Sequence, residues 1–254
     1  MEKRNKATDF VFGMRAVAEA LESDNSIDKL LVKKELGGEQ AKEILARARE
    51  LGIPVQRVPV ERINRITMKN HQGIVAMMTP VRYHKLENLL PELFEKGEEP
   101  FLICLDGVTD IRNFGAIGRT ADCAGVSGIV IPERNSVSVT PDAMKTSAGG
   151  LLYVPVCRER DMLTSIRMLK ESGVKVVGTT GRGAVPYTDV DYKMPVAIVM
   201  GNEENGISQD VLRLCDELVY IPQCGHIDSL NVSVAAGVLM YEVVRQRGAC
   251  CNDR

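Results

Sequence analysis

After Pro100 the chain carries six short apolar runs, FLICLDG, GIVIP, LLYVPV, VKVVGTT, VAIVMG and ELVYIP, with helical stretches between most of them. None alternates strictly between apolar and polar residues. Each therefore suits a strand buried on both faces, and such runs separated by helices describe an α/β fold with a mostly parallel sheet. In open sheets of this kind ligands gather at the carboxyl ends of the strands. Polar and glycine residues follow the runs at Asp106-Gly107, Thr179-Thr180-Gly181 and Gly201-Asn202-Glu203, and in the Pro222–Ser229 loop.

The first part of the chain is organised differently. VFGMRAVAEALES reads as a short helix, DKLLVKK as a strand, Gly38 to Leu51 as a longer helix, and IPVQRVPV and QGIVAMMTPV as two further strands. This is a small α/β unit, assigned to residues 1–83. The stretch HKLENLLPELFEKGEEP begins helically and turns acidic with Gly and Pro, so residues 84–99 read as a linker. Residues 100–254 form the second domain.

Composition excludes several classes. At 26% charged residues and a mean hydropathy of −0.07 the chain is globular and not disordered, and with 4% aromatics and no Trp its core must be aliphatic. No apolar run reaches the ~18 residues of a membrane span, and MEKRNKATDF has no apolar segment behind it, so no signal peptide is expected. Seven cysteines without a C-x-x-C pair fit a reducing cytoplasm, and with only three His no metal site is expected. Residues 1–85 hold 16 Lys and Arg against 11 Asp and Glu, a balance of +5, while residues 86–254 hold 16 against 23, or −7.

Three polar motifs follow three of the strands. In DGVTDIRNFGAIGRTADCAG, Gly115 and Gly118 read as a tight loop opening into a helix, with Asn113 as its cap and Arg119 on its first turns. The spacing is not that of a dinucleotide or P-loop fingerprint, which argues against a nucleotide-dependent oxidoreductase. In VAIVMGNEENGIS, two glycines bracket two Asn and two Glu, more polar chemistry than a turn needs, and Ser208 can cap the next helix. In IPQCGHIDSLNVSVAAGVLMYEVV, Ser229, Asn231 and Ser233 meet at the start of a buried helix, where free N–H groups favour caps and anionic groups.

Together and in this order the motifs N-F-G-A-I-G-R-T (113–120), G-N-E-E-N-G-I-S (201–208) and I-P-Q-C-G-H-I-D-S-L-N-V-S-V-A-A-G (221–237) resemble the SpoU (TrmH-like) branch of the SPOUT RNA methyltransferases. K-T-S-A-G-G (145–150) fits the same family, with Gly150 where Ala is usual. V-F-G-M-R-A-V-A-E-A-L (11–21) and N-H-Q-G-I-V-A (70–76) resemble the L30e-like substrate-binding domain of the subgroup that methylates guanosine in 23S ribosomal RNA.

The resemblance implies a deep trefoil knot, a homodimer, and transfer of a methyl group from S-adenosylmethionine to a ribose 2′-hydroxyl of RNA. It implies that Thr179, Gly201, Ile221 and Leu230 line the cofactor pocket, with Met200, Pro222 and Ser229 close by. Arg119 would activate the 2′-hydroxyl, Asn113 would position Arg119 or the ribose, Glu203 would orient Arg119, and Asn231 would fix the substrate or Glu203, with Ser229 as a further candidate. Arg65, Lys69, Asn70, His71 and Gln72 would contact RNA. Gln223 and His226 depart from the family's usual third motif. Related readings are a tRNA 2′-O-methyltransferase and a catalytically silent ribosome-assembly protein; the joint presence of Asn113, Arg119, Glu203 and Asn231 argues against the silent one.

Overall fold

A computed structural model describes residues 10–22, 27–181 and 185–248. The Met1–Asp9 segment, part of the stretch used for the signal-peptide reading, and the Cys250-Cys251 pair lie outside the described residues. The chain divides into two compact units. One comprises residues up to Arg82 together with Ser138–Pro141, and the other Tyr83–Val137 with the chain from Asp142 onward.

In the first unit β1 (Phe10–Phe12), α1 (Met14–Glu22), β2 (Ile27–Lys33), α2 (Glu39–Glu50), β3 (Val55–Val58), α3 (Val60–Asn64) and β4 (Ile74–Met78) follow in order. The strands form a sheet in the order β1-β4-β2-β3, antiparallel except for the β2–β3 pair. Val17, Ala20 and Leu21 of α1 and Ala41, Ile44 and Ala48 of α2 bury the helices' apolar faces. Two expectations need correction. Val11 and Phe12, read as the start of a helix, belong to the edge strand β1, because Gly13 at φ 88° ends it before α1 begins. Val60–Asn64, read from Val60 as the end of a strand, is a helical turn with Pro59 before its first residue.

The second unit contains α4 (Leu86–Glu95), β5 (Phe101–Asp106), α5 (Ile111–Ala124), β6 (Gly128–Pro132), α6 (Pro141–Thr146), β7 (Val156–Glu159), α7 (Met162–Glu171), β8 (Lys175–Thr179), β9 (Val185–Pro186), β10 (Val196–Gly201), α8 (Gln209–Leu212), β11 (Glu217–Tyr220) and α9 (Val232–Arg247). Its strands run β7-β6-β5-β10-β8-β11-β9, every neighbouring pair parallel. The two strands β5 and β10 are buried along all but their last residue. The parallel α/β sheet expected from unbroken apolar runs is present.

The stretch 84–99 is not a linker. Leu86, Leu89, Leu90 and Leu93 of α4 are buried in the same core as Leu102, Val130 and Ile166. Each buried leucine contributes about 2 kcal/mol of transfer free energy, so the segment is part of the fold. LLYVPV also differs from expectation. Gly150–Leu152 form a 3₁₀ turn and the strand begins only at Val156, where its carbonyls and amides meet β6.

Gly115 and Gly118 lie inside α5, not in a loop before it. A Cβ at Gly115 would stand 2.5 Å from Thr146 Cβ, and one at Gly118 2.6 Å from Leu151 Cδ2. They are glycine so that α5 can close on the segment 146–151. The helix is capped by Asp110, whose Oδ1 accepts from the amides of Arg112 (2.6 Å) and Asn113 (3.1 Å).

At the far end, Arg247 in the last turn of α9 fastens the helix to the start of the sheet. Its guanidinium donates to the carbonyls of Glu99 (2.8 Å), Pro100 (3.3 Å), Tyr192 (3.0 Å) and Met194 (2.7 Å). One turn earlier the buried Glu242 accepts two bonds from Arg245, at 2.7 and 2.8 Å, and one from Gln246 at 2.7 Å. Among the described residues no helix is long and apolar enough to cross a membrane.

Candidate active site

The carboxyl ends of β8, β10 and β11 open onto one cavity of about 960 Å³, within the roughly 300–1,000 Å³ of ligand pockets. Thr179, Met200, Gly201, Glu203, Ile221, Ser229, Leu230 and Asn231 all line it. Three segments separated widely in sequence thus share one concavity, as their positions after strands required.

Each lining segment is shaped by its own chemistry. At Gly201 a Cβ would collide with the backbone of Gly206 and Ile207, so only glycine lets the 201–208 loop fold back on the strand. Asn202 ties that loop together. Its Oδ1 accepts from the amides of Glu204 (2.7 Å) and Asn205 (3.3 Å), and its Nδ2 donates to the Gly107 carbonyl at 3.0 Å. Asp106 accepts from the Ser208 amide at 2.8 Å. Ser208 itself makes no side-chain cap. Thr179 Oγ1 donates to the Val199 carbonyl at 3.1 Å, leaving its backbone at the cavity. Sequence reading missed the roles of Asn202, Asp106 and Asp110; their signal was a carboxylate or amide directly after a strand or before a helix.

A chain of side-chain amides joins the three motifs. Asn231 caps α9, its Oδ1 accepting from the amide of Ser233 at 2.9 Å and from its hydroxyl at 2.6 Å. Its Nδ2 donates to Asn113 Oδ1 at 3.0 Å, and Asn113 Nδ2 donates to Glu203 Oε1. Asn231 therefore both caps and holds. Ser229 lies at the cavity without capping the helix, and Asn113 is a residue of α5, not its cap.

Two expected residues fall elsewhere. Pro222 is exposed and does not line the cavity. Arg119 is exposed on the third turn of α5, and its guanidinium makes no hydrogen bond or ion pair among the described residues. Glu203, expected to orient Arg119, engages Asn113 instead. The reason is helical geometry: six residues rotate the chain by about 600°, so Arg119 stands about 120° around the helix from Asn113. Gln223 lines the cavity and folds its Nε2 onto the Ile221 carbonyl at 3.0 Å. His226 is exposed.

The cavity's electrostatics are one-sided. Among its described lining residues Glu203 and Asp228 are carboxylates and none is Lys, Arg or His. Such a wall favours a cationic ligand over a neutral one of the same shape. No group of three or more metal-ligating side chains occurs among the described residues.

In the first unit, His71 and Gln72 are engaged within the fold. His71 Nδ1 accepts from the Gly73 amide at 2.9 Å, which leaves Nε2 to donate to Asn64 Oδ1 at 2.9 Å. Gln72, at φ 52°, accepts with Oε1 from the Met14 amide at 2.9 Å. Arg65, Lys69 and Asn70 are exposed.

Residues 100–241 match the SpoU rRNA methylase family, and residues 10–84 match a domain family described as RNA 2′-O ribose methyltransferase substrate binding. YacO of Bacillus subtilis, of the TrmH family of tRNA/rRNA methyltransferases, is 39% identical over 239 residues, 94% of this chain and 96% of that one. An AdoMet-bound rRNA methyltransferase from Sinorhizobium meliloti superposes with a TM-score of 0.60 at 31% identity, over 93% of this chain and 86% of that one. The SpoU methyltransferase AviRb from Streptomyces viridochromogenes, in complex with AdoMet, gives 0.59 at 27% identity over 94% and 90%. The chain belongs to the SpoU rRNA methylase family.

Proposed function

We infer that the protein methylates a ribose 2′-hydroxyl of RNA with S-adenosylmethionine as donor. The observation that carries this reading is the hydrogen-bonded chain Asn231–Asn113–Glu203 at the rim of a cavity with an acidic wall. The residues fit the donor: the volume suits a nucleoside-sized group, and Glu203 with Asp228 suits a sulfonium. When bound, the donor supplies an electrophilic methyl group. Thr179, Gly201, Ile221 and Leu230 hold it mainly through backbone groups, with Met200 and Ser229 beside them.

The protein's task at the acceptor is proton handling, because a neutral 2′-hydroxyl is a poor nucleophile. Arg119 is assigned to the developing alkoxide, which it stabilises with its planar fork of donors while the hydroxyl proton passes to solvent. Glu203 keeps Asn113 oriented, and Asn113 presents the ribose. With Arg119 turned away from Asn113 on the same helix, the reading requires a second copy of the chain to complete each site. Val234 and Tyr241 on α9 and Leu152 and Tyr153 beside α5, all more than half exposed, support a homodimer over this face.

The first unit is assigned to substrate binding and the 101–245 region to catalysis, with the trefoil knot of the family. A guanosine of 23S ribosomal RNA is the preferred acceptor, on the strength of the N-H-Q-G segment, and a tRNA nucleotide is the second reading. Calorimetry should give donor binding, followed by methyl transfer to undermodified ribosomal RNA from a deletion strain. Donor binding with no transfer to either ribosomal or transfer RNA overturns the catalytic reading. Transfer to tRNA alone overturns the 23S assignment.

A further inference from the structure

Methyl transfer turns a cationic sulfonium donor into a neutral thioether product and leaves the nucleoside and amino-acid parts unchanged. A pocket that held only those shared parts would keep its spent product as firmly as fresh donor. Most of the cavity is of that kind: Met200, Val219, Ile221, Leu230 and Leu239 are apolar, and backbone groups carry no net charge. Specificity is a difference of affinities, so a preference for the cation rests on the charged groups of the wall.

Those groups are Glu203 and Asp228, and they are not equivalent. Glu203 accepts from Asn113, which in turn accepts from Asn231, so its carboxylate is fixed at the rim and already engaged. The Asp228 carboxylate makes no hydrogen bond or ion pair among the described residues. The amides that share its loop and cavity are occupied elsewhere. Gln223 donates to the Ile221 carbonyl at 3.0 Å, and Asn231 to Asn113 at 3.0 Å. No Lys, Arg or His lines the cavity, and His226, two residues before Asp228, does not reach it. The negative charge of Asp228 is therefore uncompensated by the protein, and a cation in the cavity meets it without displacing an internal partner.

We propose that Asp228 biases the cavity toward the cationic donor and against its neutral thioether product, so that spent product gives way to fresh donor. The proposal rests on the reading of this cavity as the donor site. Attraction between an exposed carboxylate and a unit positive charge several ångströms away is worth about threefold to tenfold in affinity.

Calorimetry at pH 7.5 tests it with three ligands: S-adenosylmethionine, S-adenosylhomocysteine, and sinefungin, which carries an amine in place of the methylsulfonium. Asp228→Asn keeps the shape of the side chain and removes its charge. It should weaken S-adenosylmethionine and sinefungin about threefold to tenfold and leave S-adenosylhomocysteine within about twofold. Asp228→Glu should keep most of the parent protein's preference. Equal weakening of all three ligands sets Asp228 against the part they share, and overturns the proposal. So does a loss of preference that appears with Glu203→Gln and not with Asp228→Asn. A parent protein that binds none of the three sinks the donor reading of the cavity and this proposal with it. Binding by the parent with an unaltered preference in Asp228→Asn sinks this proposal alone.

Discussion

Asn113 on α5 donates its side-chain amide to the carboxylate of Glu203, 90 residues further along the chain. That bond, with the one from Asn231 to Asn113, makes the cavity rim a single hydrogen-bonded unit.

Asn113→Ala should therefore cost more than one contact. Removing a hydrogen bond to a charged group costs about 1.5–3 kcal/mol of stability, so the melting temperature should fall, and loss of the positioned rim should lower turnover about 10²-fold. Asn113→Asp should be worse near pH 8, because it sets a second carboxylate against Glu203. Changing Glu203 to Gln in the same protein should restore part of the lost turnover, because only one carboxylate then remains at the rim. No recovery in the double variant removes Glu203 as the partner.

Arg119→Lys keeps the charge and loses the planar fork, so turnover should drop about 10²–10³-fold while donor binding measured by calorimetry stays within error. Mixing Arg119→Ala with Asn113→Ala protomers tests the shared site. If Arg119 serves the partner's pocket, reassorted dimers regain about a quarter of the parent rate. No recovery after demonstrated subunit exchange means that each chain uses its own Arg119.

Cysteine labelling reports the pocket without catalysis. Burial pushes Cys157 up to about 12 and Cys215 up to about 11, and raises Cys104 as well. All three are protonated near pH 7.5; the buried Cys104 and Cys157 should alkylate only on unfolding, and the half-buried Cys215 only slowly in the native protein. Cys224 is exposed in the loop whose Gln223 and Asp228 line the cavity. Mass spectrometry should show it labelled in the native protein and protected by S-adenosylmethionine. Unaltered labelling at saturating donor contradicts the assigned pocket.

Glu242 gives the stability a pH dependence. Hydrogen bonds from Arg245, aided by Gln246, hold its carboxyl below the usual carboxylate range. A lowered folded-state value means the contribution is complete above the ordinary value near 4.5 and is lost as pH falls through the folded one. Glu242→Gln should cost about 1–2 kcal/mol at pH 7, discounted because Arg245 is largely exposed. The gap between variant and parent should close in acid, below the folded-state value. A gap that persists there assigns the loss to packing.

Parts of this architecture were readable in advance for physical reasons. β5 and β10 are buried on both sides, so their sequences are apolar without interruption, and the residues just after them had to face the site. α4 was hidden by the Gly-Glu-Glu-Pro run behind it, which carries the signature of a linker although the leucines ahead of it pack into the core. Gly115 and Gly118 misled because glycine marks either a turn or a close approach, and the neighbour that decides, Thr146 or Leu151, lies some thirty residues away. The Asn113–Glu203 pairing was illegible for the same reason: both residue types were evident, but only the folded chain chooses which acceptor an amide meets.

The Arg247 clamp bears on how the protein is made. The Arg247 side chain secures the carbonyls of Glu99 and Pro100, translated almost 150 residues earlier. The nascent second unit must wait with the entrance to its first strand unfastened until Arg247 has emerged, while α1 to β4 can already have settled. A stop codon just before Arg247 would thus spare every residue of the pocket and still yield a chain that depends on chaperones.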